Sequence, residues 1–587
     1  MSKSTNDATF KEADVDQSWT GRLEFSDSDT ATGGNLIYSN ADDEPEFHAR
    51  TVIAIAAMLL LNFVQVFALQ GPATILSYIG RDLNATAQQA WIPNALSLVQ
   101  AVLGPVVSIA SDALQARKTI LIVACVISVI GSGIAPGSQT IGRLIAAQTL
   151  IGFGFATVPL AYSIPSEILP RKWRPACQGA VNASASLGTI AGVLSAGGMV
   201  KRSATSGWRQ WYWIQFALWA ITVLGIIVGY RPPKRHTIHE FATMRQKLNA
   251  LDLPGLFLLV TGLTLFLVGL NLGGGIYPWS EGRTLGTLIA SIVTLGLFGV
   301  YEWKATQHGV LNHELFRDGK AFAICLLLIL VEGIMLFAFV IFYAQMTGQL
   351  FDTDAFLLSA RVVPFWVANL FSTTTYGYFS SRFRTIRIPL LVGFVLFTTS
   401  LIGLATVQPG NSTSAIVFAA LGGLGFGAPL ILIIAAVHLS IPHHLIATAT
   451  AVTTSTRAIA ATVFTASYTA AVSNRAQRYI PEYVSAAVLQ AGLPPRCVPD
   501  FIAGLTAGGQ LELPALCGLT PRITAAGVAA LKKANADSIR VVWIIAVPFG
   551  VVACVALYCL GDLSNAMDYR VEAPVEKLQA KQRRLKR

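Results

Sequence analysis

Apolar runs long enough to cross a membrane recur along almost the whole chain, separated by short polar connections. They cover residues 51–73, 91–110, 119–136, 141–163, 177–199, 210–230, 254–273, 284–303, 321–346, 356–379, 388–407, 414–437, 446–471 and 540–560. A helix needs about 20 residues to span the hydrocarbon core of a bilayer, so the pattern predicts an all-α integral membrane protein with about 14 transmembrane helices.

Residues 150–198 organise the rest: a Gly-rich apolar segment, a short loop with Glu167, Arg171, Lys172 and Arg174, then a second apolar segment. The second segment carries small residues at Gly188, Gly192, Ala196 and Gly197, a spacing that lets helix backbones pack closely in lipid. The same stretch returns at 421–463, where Gly425, Gly427, Pro442, Ala451 and Val452 replace Gly152, Gly154, Pro170, Ala180 and Val181. An internal repeat of membrane spans on that scale predicts a transporter built from two related halves. The expected plan is a disordered acidic tail (1–48), a six-helix bundle (49–230), a linker with an extra helix pair (231–320), a second six-helix bundle (321–560) and a basic tail (561–587).

Composition sharpens this picture. With 53% hydrophobic and 12% charged residues, the chain lies outside the range of ordinary soluble proteins. Its net charge of +11 comes from short basic clusters between the apolar runs, which argues for orientation in a membrane and against nucleic acid as a partner. The clusters follow even-numbered segments: Arg117 and Lys118; Arg171, Lys172 and Arg174; Arg231, Lys234 and Arg235; Lys304, Arg317 and Lys320; Arg382, Arg384 and Arg387; then His443 and His444. The basic side is cytoplasmic, so both termini are expected there, in the plasma membrane or alternatively a vacuolar one. Lys201, Arg202 and Arg209 break the rule locally. Glycosylation sequons at Asn84 and Asn411 fall in connections this topology places outside. The N-terminal tail lacks a signal-peptide pattern, so the first span is expected to act as the signal.

The connection 472–539 is much longer than the others and holds Cys497 and Cys517. It is read as a folded outer lid closed by a disulfide, the alternative being a mobile loop with two free thiols. Cys125, Cys177, Cys325, Cys554 and Cys559 lie in or beside apolar spans and read as small core residues. His438, His443 and His444 lack metal-ligand spacing, and no glycine loop of an ATP site appears. No metal or cofactor is therefore expected.

Several short motifs resemble the major facilitator superfamily, specifically the fourteen-helix fungal drug:proton antiporters of the trichothecene efflux pump type. In SIASDALQARKTIL, Asp112, Arg117 and Lys118 match the family's acid and basic pair, with Ser108 in its Gly position. In GYFSSRFR, Gly377 and Arg382 are kept and Ser381 replaces the acid. Gly188, Gly192 and Gly197 are similar to the antiporter motif, although Val193 stands where Pro is usual. The GWRQWYW run from Gly207 to Trp213 resembles the entry to helix six. Asp252, Gly255, Gly273, Gly274, Pro278 and Trp279 resemble the extra helix pair. The resemblance implies a monomeric secondary transporter that exports small lipophilic compounds against proton entry. It also implies a cytoplasmic gate of Asp112, Arg117, Lys118, Glu167, Arg171, Arg174 and Arg382, whose charge pairs latch the outward-open state. The alternative role for these charges is orientation alone.

A charge at mid-bilayer costs roughly 2.5–3.5 kcal/mol on insertion scales, and Glu332, Arg361 and Arg457 are the three that ask for a reason. Drug antiporters often carry an acid in helix one and an Arg in helix four, where this chain has Asn62 and Gln148. Proton coupling is therefore assigned to Glu332 with the two arginines, the alternative being a fixed ion pair. Substrate contacts are expected from Asn62, Gln65, Asn94, Gln100, Gln215 and Asn369, with Phe67, Trp213, Trp366 and Tyr376 as aromatic surface; helix packing is the competing role for each. Amides and aromatics with few charges suit a neutral, moderately lipophilic molecule. Two rivals share these features: import of ferric siderophores on the same fold, and a transporter-like receptor signalling through its acidic tail. An enzyme is not expected, since no nucleophile, base and orienting group converge in the sequence.

Overall fold

The computed structural model describes residues 38–581 apart from 87, 115, 233–251, 274–276, 305–313, 318–319, 353, 443–444, 507–518 and 577. Lys234, Arg235, Gly274, His443, His444 and Cys517 thus lie outside the described residues. Long helices dominate: α1 (Ala49–Thr74), α2 (Trp91–Asp112), α3 (Arg117–Gly137), α4 (Ile141–Ile168), α5 (Arg171–Arg202), α6 (Gly207–Gly229), α7 (Leu253–Gly273), α8 (Gly282–Lys304), α9 (Ala321–Leu350), α10 (Ala355–Phe383), α11 (Arg387–Ala405), α12 (Ser412–Ser440), α13 (Ile446–Gln490) and α14 (Pro521–Cys559). Thirteen of them are long and apolar enough to cross a membrane. The exception, α13, opens with Thr448, Thr450, Thr453, Thr454, Ser455 and Thr456. Four of those hydroxyls bond back to carbonyls of the preceding turn, Thr450 to Ile446, Thr453 to Ala449, Thr454 to Thr450 and Thr456 to Val452, while Thr448 and Ser455 bond to Asp112 and to the Ala101 carbonyl of α2, which satisfies them without water.

Helices α1–α6 pack together as one bundle and α9–α14 as another, while α7 and α8 form a hairpin that leans on α2 and α13. The bundles meet where α5 lies along α10 and α12, and where α2 and α4 lie along α13. Close approach is what the glycines of α5 provide. A Cβ at Gly188 would strike the carbonyl oxygen of Phe63 in α1, and one at Gly179 would sit 2.7 Å from the carbonyl oxygen of Thr373 in α10. Gly192 and Gly197 repeat these roles against Phe67 and Ser359. Overpacking a fitted core costs about 1–3 kcal/mol. We expect Gly188→Val to displace α1 and to lower the melting temperature of purified protein, which a thermal-shift assay in detergent would register; an unchanged midpoint would refute the packing role.

One expectation changes. Residues 38–48, read as the end of a disordered tail, are ordered against the C-terminal segment: Tyr38 bridges Val571 and Pro45 bridges Ala580. Their backbone groups find partners that the sequence of the tail alone does not reveal. The connection 472–539, read as a folded lid, is mostly helix among its described residues, because α13 continues to Gln490 and α14 begins at Pro521. With the short helix Val498–Thr506 these extensions enclose a separate apolar core of Val484, Val488, Leu493, Cys497, Val498, Phe501 and Ile523. Cys497 is disulfide-bonded. Of the expected core cysteines, Cys125, Cys177 and Cys325 are buried, while Cys559 is exposed and Cys554 intermediate.

Candidate functional site: a buried ion pair and a closed terminal face

Both described ends of the chain sit at one end of the bundle, here the terminal face; the other end is the distal face. Between them, on α9 and α13, lies the central charge pair. α9 is apolar nearly all round and is buried along most of its length, as a core helix should be. Glu332 is its one acidic residue and is fully buried. Arg457 Nε of α13 donates to Glu332 Oε2 at 2.7 Å. Gly333 lets the two helices close, since a Cβ there would lie 3.0 Å from the Arg457 carbonyl oxygen. Glu332 Oε1 and Arg457 Nη2 have no hydrogen-bond partner among the described residues. Taking one member away from such a buried pair typically costs about 3–5 kcal/mol.

The N-terminal bundle answers this pair with Tyr162 of α4. Its buried phenol donates to Asn182 Oδ1 of α5 at 3.2 Å and faces both Arg457 and Asn62. Gln178 Nε2 holds the Tyr162 carbonyl and the Ser166 hydroxyl, each at 2.8 Å. Tyr162 is absent from the sequence-derived candidates. The available signal was a phenol in the middle of an apolar helix, which needs a polar partner when buried.

At the terminal face the charges of the loops after α2 and α4 converge. Arg117 is 4% exposed and ion-pairs with Asp112 Oδ1 at 2.7 Å and with Glu167. The 3₁₀ turn Arg171–Trp173 and Pro175 start α5 and aim Arg174 into the interface between bundles. There its guanidinium donates to the carbonyl oxygens of Ser166 (3.0 Å) and His438. The imidazole of His438 bridges Ser166 Oγ at 3.0 Å and Thr450 Oγ1 at 2.7 Å. Thr448 Oγ1 donates to Asp112 Oδ2 at 3.2 Å, and Ser381 Oγ accepts from the Ala176 N–H at 3.0 Å. Four of these, Arg174 to His438, His438 to Ser166, Thr448 to Asp112 and Ala176 to Ser381, join an N-terminal helix to a C-terminal one. The terminal face is therefore closed, and Ser381 contributes a hydroxyl where the family motif has an acid.

Residues 22–583 match the family model described as fungal trichothecene efflux pump (TRI12). The chain belongs to that family. Its relatives include the trichothecene efflux pump TRI12 of Fusarium sporotrichioides, 24% identical over 551 residues that cover 92% of this chain and 91% of the relative. The trichothecene efflux pump TRI12 of Trichoderma arundinaceum is 25% identical, covering 89% and 87% of the two chains. Among solved structures, the major facilitator proton:xylose symporter XylE aligns with a TM-score of 0.52 at 12% identity, over 88% of this chain and 98% of that one. The fold is that of the major facilitator superfamily, and the chain is a multi-pass membrane transporter of small molecules.

The transporter's remaining candidates are dispersed. Arg361 is not near Glu332: it pairs with Asp352 at the distal end of α10, and its Nη2 donates to Ser412 Oγ at 2.8 Å. The register of α10 starts only at Ala355, which carries Arg361 close to the helix end. Also distal, Lys201 meets Asp354 at 3.1 Å across the bundles. That lysine, with the N–H groups of Leu357 and Phe356, holds the Asp354 carboxyl below its ordinary range. Lys118 leaves the gate and donates to the Ile227 carbonyl at 2.6 Å, Arg382 lies over the Phe383 ring, and Arg171 turns to Glu572.

Five of the six candidate amides, all but Gln100, are engaged between helices. Asn62 Nδ2 donates to the Val181 carbonyl (2.8 Å), Gln65 to Gly154 and Thr157, Asn94 to Asn271 (2.6 Å), Gln215 to Ser132 (3.2 Å) and Asn369 to Ser186 (2.9 Å). The side-chain oxygens of Asn62, Gln65, Gln215 and Asn369 have no partner among the described residues. Trp366 is buried edge-on against Phe365. Trp213 is 54% exposed on the outer surface of α6, so it does not line the interior; Trp211 does, stacked on Phe67 at 4.9 Å. Two positions along a helix rotate a side chain by more than half a turn.

Proposed function

We propose that this transporter exports small, mostly neutral lipophilic compounds by alternating access, driven by proton entry through Glu332. It acts as a monomer in the plasma membrane with both termini in the cytoplasm, so the terminal face is the cytoplasmic gate. The observation that carries the reading is the buried Glu332–Arg457 pair facing Tyr162 across the two bundles. Protonating a buried carboxylate cancels its attraction to the guanidinium, which frees Arg457 to change partners, and Tyr162 lies within its reach. Such exchange ties proton occupancy to the fit between bundles. Unpaired amide oxygens on Asn62 and Asn369 offer acceptors to hydroxyl-bearing substrates, beside aromatic surface from Phe67 and Trp211.

The test is accumulation of labelled trichothecenes, other xenobiotics and ferric siderophores in cells with and without the gene, each with and without a protonophore. We expect lower accumulation of lipophilic toxins in expressing cells and loss of that difference with the protonophore. Raised accumulation of a ferric siderophore would reverse the direction of transport and overturn the proposal.

A further inference from the structure

We propose that residues 568–576 form a strap that holds the terminal face shut, fastened by Glu572. The strap begins in one bundle and docks on the other. α14 of the C-terminal bundle ends at Cys559, and the chain then crosses to the loop between α4 and α5. There Glu572 Oε1 accepts from Arg171 Nε at 2.9 Å and Nη2 at 2.7 Å, while its Oε2 accepts from Arg174 Nη2 at 2.6 Å. Such charge-assisted, two-pronged bonds are among the stronger ones in proteins. The backbone follows: Arg171 N–H donates to the Arg570 carbonyl (3.2 Å), Lys172 N–H to Asp568 (2.8 Å) and Ala573 N–H to Glu167 (3.0 Å). Lys172 Nζ donates to the Tyr569 hydroxyl at 2.8 Å, and Val571 is fully buried. Farther along, Glu576 accepts from the His48 N–H at 2.8 Å and from the Thr51 hydroxyl, so the strap also grips the start of α1.

Two features make this more than a docked tail. Arg174, whose side chain is 2% exposed, is the same residue that bonds His438 of the other bundle. Glu572 therefore compensates a buried charge at the contact that must break for this face to open. The link from α14 is also folded, with a 3₁₀ turn at Ser564–Ala566 and with Leu560 and Met567 buried. Parting the bundles at this face must either unbury that link or pull Glu572 from its two arginines. The strap is thus a restraint on one state of the transport cycle, and its release is a step toward the other.

This inference rests on alternating access but on neither the proton nor the substrate, so its test needs no transport. Ser381 is fully buried at the interface and serves as reporter. In a chain with Cys554→Ser, Cys559→Ser and Ser381→Cys, the rate of N-ethylmaleimide addition at position 381 is followed by peptide mass spectrometry in membranes. Adding Glu572→Gln should raise that rate roughly tenfold, equivalent to about 1.4 kcal/mol, and deleting residues 568–587 should raise it at least as far. Monodisperse gel filtration confirms that each variant is folded. Equal rates in the parent, the point variant and the deletion would overturn the strap. If neither variant folds, the unaltered chain decides by hydrogen exchange. Amides of 568–573 that open no more slowly than those of an exposed loop would overturn the proposal, and strong protection lost when the face is opened by low pH and substrate would support it. Protonophore-insensitive efflux with a raised labelling rate would refute the proton reading and leave the strap standing.

Discussion

Glu332→Gln is expected to reduce proton-driven efflux to background while leaving a folded, membrane-inserted protein. The amide keeps the shape of the carboxyl and can still accept from Arg457 Nε, now at 2.7 Å, and the guanidinium side chain is 14% exposed, so losing the opposite charge should cost about 3 kcal/mol, the low end of the range for breaking a buried pair. What it loses is the ability to take and release a proton. Arg457→Gln makes the opposite exchange, since it strands a fully buried acid and should cost about 3–5 kcal/mol. The double variant, with two neutral amides, should recover most of that stability and none of the transport. Thermal unfolding in detergent measures the first quantity, and pH-jump flux in proteoliposomes the second. Undiminished pH-driven flux in Glu332→Gln would refute the coupling role, and a fixed structural pair would then be the better description.

Arg117→Met should be the more damaging change at the terminal face. The guanidinium lies between Asp112 and Glu167, and their side chains are 17% and 3% exposed. Removing it leaves two close carboxylates with less compensation, and Asp112 also carries the Thr448 bond to the other bundle. We expect a loss of about 3–5 kcal/mol and a population shifted away from the closed terminal face. Neutralising the partners as well, with Asp112→Asn and Glu167→Gln, should restore folding without restoring normal cycling. The checks are yield of monodisperse protein, then labelling of a cysteine at position 381. If Arg117→Met is as stable as the parent and as slowly labelled, these charges serve only to orient the chain in the membrane.

The bilayer imposes its demands residue by residue along the chain, so the all-helical membrane fold, the placement of most spans, the small residues of α5 and two of the three suspected intramembrane charges, Glu332 and Arg457, were readable from sequence, whereas Arg361 lies at a helix end. Helix termini were readable for the same reason, which is why the sequence alone places Asp112, Arg117, Glu167 and Arg174 at one face. Partners were another matter. Glu332 and Arg457 are 125 residues apart, and which arginine answers the acid depends on how α9 meets α13. Helical rotation decided that Trp211 and not Trp213 points inward, and it turned the expected substrate amides largely into links between helices. Tyr162 became significant only when α4 was set against α13. The C-terminal segment read as a basic tail because its composition is polar, yet Glu572 fits a pair of arginines 401 and 398 residues earlier. Local pattern encodes where a segment sits relative to the membrane; the contacts between distant segments exist only once close packing has fixed helix rotation and register.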